Sequence, residues 1–136
     1  MATLKISDLS VGDWVQDNYG DYIKVAGIWQ GCNFNYQVDV LRDGRIGTIV
    51  PCNIHPIPIT AEILERNGFE STTKPNVFTL THGELQLYVS EESDGWYMSF
   101  VNFMERLCIL QVIRRNSIHE LQHALRLAGV EKEINL

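Results

Sequence analysis

Four short runs of β-branched and aromatic residues, each ended by a turn signal, fall before Pro58, and nothing else in the chain limits its fold so strongly. The runs "DWVQD" and "YIKVAGIW" flank "NYGD", a tight-turn sequence. "FNYQVDVL" alternates, with Phe34, Tyr36, Val38 and Val40 on one face and Asn35, Gln37 and Asp39 on the other. "RDGR" then leads into "IGTIV", a hairpin closed at Asp43-Gly44. So many short strands in so little chain cannot form a wide open sheet with a covered face. Curling into a small barrel, with alternate residues inside, removes the exposed edges.

The opening "ISDLSVGDWV" resembles the start of SH3-like barrels, in which a Gly-Asp turn precedes a first strand ending in Val. "PCNIHPIPIT" follows the barrel. Its three prolines exclude a helix and make it a connector whose Ile residues strap against the core. In "TAEILERNGF" Thr60 is the N-cap, Ile63 and Leu64 face inward and Gly68 is the stop. "NVFTLT", "ELQLYVS", "ESDGWYMSFV" and "RLCILQVI" read as an antiparallel meander turning at His82-Gly83 and Asp94-Gly95. The expected fold is α+β: an SH3-like β-barrel subdomain over 1–58, packed as one compact unit with a 59–136 subdomain of a helix, a β-meander and a C-terminal helix.

At 136 residues, with 45% hydrophobic and 21% charged side chains, the chain is a globular domain that needs neither disulfides nor metal to fold. It has no apolar run of membrane-spanning length and no secretory signal pattern at its start, so a cytoplasmic protein is expected. Cys32, Cys52 and Cys108 are unpatterned and read as free buried thiols. The net charge is −6, with 4 basic and 6 acidic residues before Pro58 and 7 and 11 after it. Nucleic-acid backbones are usually held by a basic stripe, which disfavours that class of partner. A nucleic-acid accessory role would have to rest on Arg114, Arg115 and Arg126.

The C-terminal stretch "NSIHELQHALRLAGV" contains a literal H-E-x-x-H. On a helix His119 and His123 stack one turn apart, so they could hold zinc with Glu120 as the base of a peptidase-like hydrolase. Arg126 stands where the extended pattern wants Gly, and the chain after Gly129 is too short for an easy third ligand. His55, His82 and Asp94 are the upstream candidates. The same residues have a structural reading: Ser117 and Glu120 form a capping box, and Gly129-Val130 is a helix stop. At 100° per residue Ile118, Leu121, Ala124, Leu125 and Ala128 share the core arc, which leaves His119, Gln122, His123 and Arg126 on the outer face. The helix is therefore expected to be a capped surface helix with no cofactor, zinc being the alternative.

Cys52 and His55 have half of a zinc-knuckle spacing and read as a buried thiol beside a loop histidine. Cys108 reads as core. Trp14, Tyr19, Tyr22, Trp29, Phe34 and Tyr36 concentrate aromatics in the barrel. Trp14, Tyr19, Tyr22 and Trp29 are the candidate binding surface, suited to a proline-rich or cationic peptide. "LSVGDWV", "PIPITAEILERNGF" and "IHELQHALRLAGVEKEI" together resemble small proteins of unassigned activity from gut Bacteroidales and their phages or mobile elements. That resemblance implies a lineage and a setting, and it transfers no catalytic residue. The expected function is a non-enzymatic binding or adaptor module for a protein or peptide, with no membrane partner and an open oligomeric state.

Overall fold

The computed structural model describes residues 4–31, 35–102 and 117–136. The expected strand "RLCILQVI", with Cys108, and the residues Cys32, Phe34, Arg114 and Arg115 lie outside the described residues. The chain divides into two compact units, Met1–Ile57 and Pro58–Leu136. It is mixed α+β, with two antiparallel four-stranded sheets and two α-helices among the described residues.

The first unit holds β1 (Trp14–Gln16), β2 (Tyr22–Gln30), β3 (Tyr36–Arg42) and β4 (Arg45–Ile49), hydrogen-bonded in that order. The two-residue period of a strand puts Val15, Ile23, Val25, Val38 and Val40 on one face, and all five are buried with Leu9 and Ile54. Burying a Val or Ile side chain contributes about 1.5–3 kcal/mol, so this face holds the unit together. The register shifts between Val25 and Gly27, which brings Ile28 opposite Val38 and keeps it on the inner face. The β3–β4 turn has positive φ at both central residues, Asp43 (49°) and Gly44 (77°), the geometry that matches strand twist in a two-residue hairpin.

After β4 a 3-10 turn at Pro51–Asn53 carries the chain across to the first strand. There His55 exchanges backbone bonds with Gln16, N to O at 2.8 and 2.9 Å, on the edge of β1 that β2 does not use. The Gln16 side chain adds a bond to the Pro56 carbonyl at 2.7 Å. Among the described residues these pairings make a four-stranded sheet and one bridge; they do not assign a closed barrel.

The second unit starts with α1 (Ala61–Arg66), capped by Thr60, whose Oγ1 accepts the Ile63 N–H at 3.3 Å. A second sheet follows: β5 (Glu70–Ser71), β6 (Val77–His82), β7 (Leu85–Glu92) and β8 (Gly95–Asn102), again in chain order. Its first strand, β5, is two residues long and has no apolar run to announce it. Buried Asn67 ties the chain's end to α1, donating to Ile63 O and Asn135 O at 2.8 Å and accepting the Asn135 N–H at 2.7 Å.

Both helices stop in the same way. Gly68 donates to Glu65 O and Phe69 to Leu64 O after α1; Gly129 donates to Arg126 O and Val130 to Leu125 O after α2 (Ile118–Leu127). Each stop pairs a left-handed Gly with a buried apolar residue, Phe69 or Val130. Their N-termini differ. Ser117 occupies the N-cap position of α2, but its backbone is tied into a bridge with Pro58 and its buried hydroxyl accepts no bond from the helix. The expected capping box therefore does not form at Ser117.

Candidate functional site

The inner face of the first sheet is occupied by core, so chemistry there must come from its edges or its outer face. The outer face follows from register. Trp14 lies opposite Lys24, Lys24 opposite Leu41, and Leu41 opposite Ile46, making one row across all four strands. The next row is Gly27, Asp39 and Thr48. This face carries exposed apolar surface: Ile46 is 71% exposed, Leu41 38% and Trp29, one row further on opposite Gln37, 44%. The Lys24 ammonium sits 5.5 Å from the centre of the half-buried Trp14 ring.

Asp39 organises the middle of this face. Its Oδ1 accepts the Trp29 indole N–H at 3.2 Å and the Thr48 hydroxyl at 3.1 Å. Its Oδ2 stands over Gly27, 3.5 Å from where a Cβ would be, so the missing side chain at Gly27 leaves that oxygen uncovered. Trp29 is thereby pinned by its edge beside a carboxylate, with much of its ring in solvent.

The β4 edge borders the same face. In a two-residue hairpin the pair closing the turn, Arg42 and Arg45, is hydrogen-bonded, and bonded pairs then alternate along the ladder. Val40–Gly47 and Val38–Ile49 are thus bonded, and the N–H and C=O groups of Ile46 and Thr48 face the open side. Residues 45–48 are all exposed, and among the described residues no strand pairs with that side. An open groove of 530 Å³ follows the strand, lined among others by Val40, Arg42, Arg45, Gly47 and Ile49. At Gly47 no atom comes within 4 Å of an added Cβ.

No protein-family model, curated protein or solved structure matches the chain. The site must be read from its own geometry.

Of the four aromatic candidates, Trp14, Tyr22 and Trp29 share the outer face by register, spread along it, and Tyr19 lies in the β1–β2 turn. Trp14 packs with Lys24, Trp29 lies with Asp39 towards the far end of β2, and Tyr22 is the first residue of β2. Tyr19 is 90% exposed in the β1–β2 turn, which Asp17 shapes by accepting the N–H groups of Tyr19 and Asp21 at 2.8 and 3.0 Å. Asp17 is itself buried. Burial raises its carboxyl pKa, but the Arg42 guanidinium 2.7 Å away and those two amides outweigh it and hold the group below the usual carboxylate range. Tyr36, 48% exposed, lines a second groove of 480 Å³ with Ile6, Val50, Pro51 and Cys52.

His119 and His123 do meet, with ring centroids 5.7 Å apart and edge to face. His119 is not on an outer face, however: it is 1% exposed. Burial in α2 runs along the axis as well as around it, since Ser117, Ile118 and His119 are all buried at the start while Arg126 and Leu127 are exposed at the end. Glu120 is half-buried, and the exposed Arg126 directs Nε towards Gln122 O at 3.5 Å. Among the described residues no three His, Cys, Asp or Glu side chains converge as a metal site would need. His55 Nε2 donates to Asn18 Oδ1 (2.6 Å), His82 is exposed at the end of β6, and Asp94 accepts the Tyr97 hydroxyl. Cys52 is an exposed free thiol, the reverse of the expected burial, because Pro51–Asn53 turns it outward while Ile54 enters the core. Among the described residues no helix is long and apolar enough to cross a membrane.

Asp39, Leu41, Ile46 and Thr48 escape a reading by composition, since an alternating strand makes its second face look merely solvated. One signal was present. A glycine inside a strand pattern, Gly27 in "YIKVAGIW", marks a bulge or a close approach, and here it stands at the register shift with the Asp39 carboxylate over its open side.

Proposed function

We propose that the chain is a non-enzymatic binding or adaptor module that takes a protein or peptide segment as an extended strand along β4. The observation that carries this is the unpaired edge at Ile46 and Thr48, with exposed apolar side chains beside it and an open groove along the strand that both residues help to line. An added strand would gain main-chain bonds from those two residues and would send alternate side chains to the two faces. Native edges are usually blunted by proline, inward charge or a covering element; Arg45 is the only charge on β4 and the strand has no proline.

An SH3-like barrel is the finer architecture that fits this unit. The four-strand order, the 3-10 turn after β4 and the return to β1 at His55 all support it. A cytoplasmic setting is supported by the unpatterned cysteines, and a setting in gut Bacteroidales or their phages or mobile elements by the sequence resemblance alone. The mildly acidic balance of the unit favours neutral or basic peptides over nucleic acid.

The test is to pan a random peptide library on the full chain and map the binders by amide hydrogen exchange. Protection of the Ile46 and Thr48 amides on binding, lost in Ile46→Pro, is the expected result. Proline is tolerated at an edge position whose N–H faces solvent, so this variant removes one docking donor and leaves the β3 ladder intact. Binders that protect other residues, or that bind Ile46→Pro equally well, would overturn the reading.

A further inference from the structure

The geometry points to a subsite for a cationic side chain, arginine or lysine, at Trp29 and Asp39 on the outer face, which would set the sequence preference of the docked strand; this rests on strand docking at β4. Asp39 spends one carboxylate oxygen on Trp29 and Thr48. The other oxygen makes no hydrogen bond among the described residues and is left open by Gly27. Beside it the indole N–H is bonded to Asp39 Oδ1, which keeps the ring, and with it the π-face that attracts cations, next to the open carboxylate oxygen.

The distances suit a long side chain. Asp39 lies directly opposite Thr48, so a docked strand is two strand spacings, about 9–10 Å, from Asp39. A residue docked beside Thr48 on the outer face must cross only that small side chain. Its apolar stem would run over the threonine methyl and the neighbouring Ile46 and Leu41, and its charged head would reach the open oxygen. Apolar side chains, an open carboxylate oxygen and an indole together are complementary to a side chain with an apolar stem and a cationic tip, and the cation already on this face, Lys24, lies one row away over Trp14. A neutral polar tip would meet a carboxylate without satisfying its charge.

The probes are Nα-acetyl-argininamide, Nα-acetyl-lysinamide and the neutral analogue Nα-acetyl-citrullinamide, titrated into the 15N-labelled full chain. The Trp29 indole and Thr48 amide signals are expected to move with the two cations and not with citrulline. Asp39→Asn, which keeps an acceptor for the indole, is expected to weaken the cation response roughly tenfold or more. Gly27→Ala keeps the carboxylate but sets a methyl against its open oxygen, and it should weaken the response as well. An equal response to citrulline, an unchanged response in Asp39→Asn with the remaining spectrum intact, or no movement at Trp29 would overturn the subsite. Peptides that protect β4 but show no basic preference and bind Asp39→Asn normally would sink the subsite and leave strand docking standing. A Trp29 response without any β4-protecting peptide would do the reverse. A free protein that is dimeric, with Ile46 and Thr48 already protected, would assign the edge to a second copy and remove both.

Discussion

Asp17 shows how one buried carboxylate can fix a loop. It accepts two amides of its own turn and an ion pair from Arg42 of β3, so the β1–β2 turn is locked to the strand that carries the outer face. Because its folded pKa lies below the usual range, its stabilising effect is fully present above the unfolded value near 3.8 and is lost as pH falls through the lower folded value. Asp17→Asn should therefore lower the urea midpoint at pH 6, by an amount equivalent to about 1–3 kcal/mol, and the gap to wild type should close in acid. Equal midpoints at pH 6 would mean that the Arg42 pair contributes nothing.

At the scale of elements, the two helices make opposite predictions from similar sequences. Thr60 and Ser117 both occupy N-cap positions, yet only Thr60 accepts a helix amide. Thr60→Ala should cost about 1 kcal/mol, the usual value for a lost cap. Ser117→Ala should cost little or stabilise slightly, since it removes a buried hydroxyl that has no partner. Chemical denaturation of the two variants side by side is the check, and a Ser117→Ala loss equal to that of Thr60→Ala would restore the capping box.

For the whole molecule the zinc question has a direct measurement. Protein purified without added metal should carry well under one zinc per chain, and chelator should leave the thermal midpoint in place. A stoichiometric zinc lost in His123→Ala would instead establish a ligand beyond the described residues and return the hydrolase reading. How much of the molecule could be read beforehand divides along physical lines. Period and turn chemistry are local, so β1 to β4 and α1 fall where the alternation, Asp43-Gly44 and Thr60 place them. Burial of His119 depends on how deep the start of α2 sits, which helical periodicity does not encode. The two-residue β5 has no pattern of its own, and Ser117 has the extended backbone of an N-cap, as Thr60 does, yet its buried hydroxyl meets no helix amide, a tertiary outcome that the N-cap pattern does not encode. The outer-face site was hidden for the same reason: Trp29, Asp39 and Thr48 sit on three different strands, and only register brings them together.

The bond from Gln16 to the Pro56 carbonyl, forty residues away along the chain, also carries information about time. Each hairpin of the meander closes over a few residues and can form as soon as its turn does, whereas the His55 strap must wait for everything between to be in place. During synthesis β1 leaves the ribosome long before its strap exists. The amides of Gln16 and His55 should then be among the last in this unit to become protected in refolding and the first to exchange in the native state.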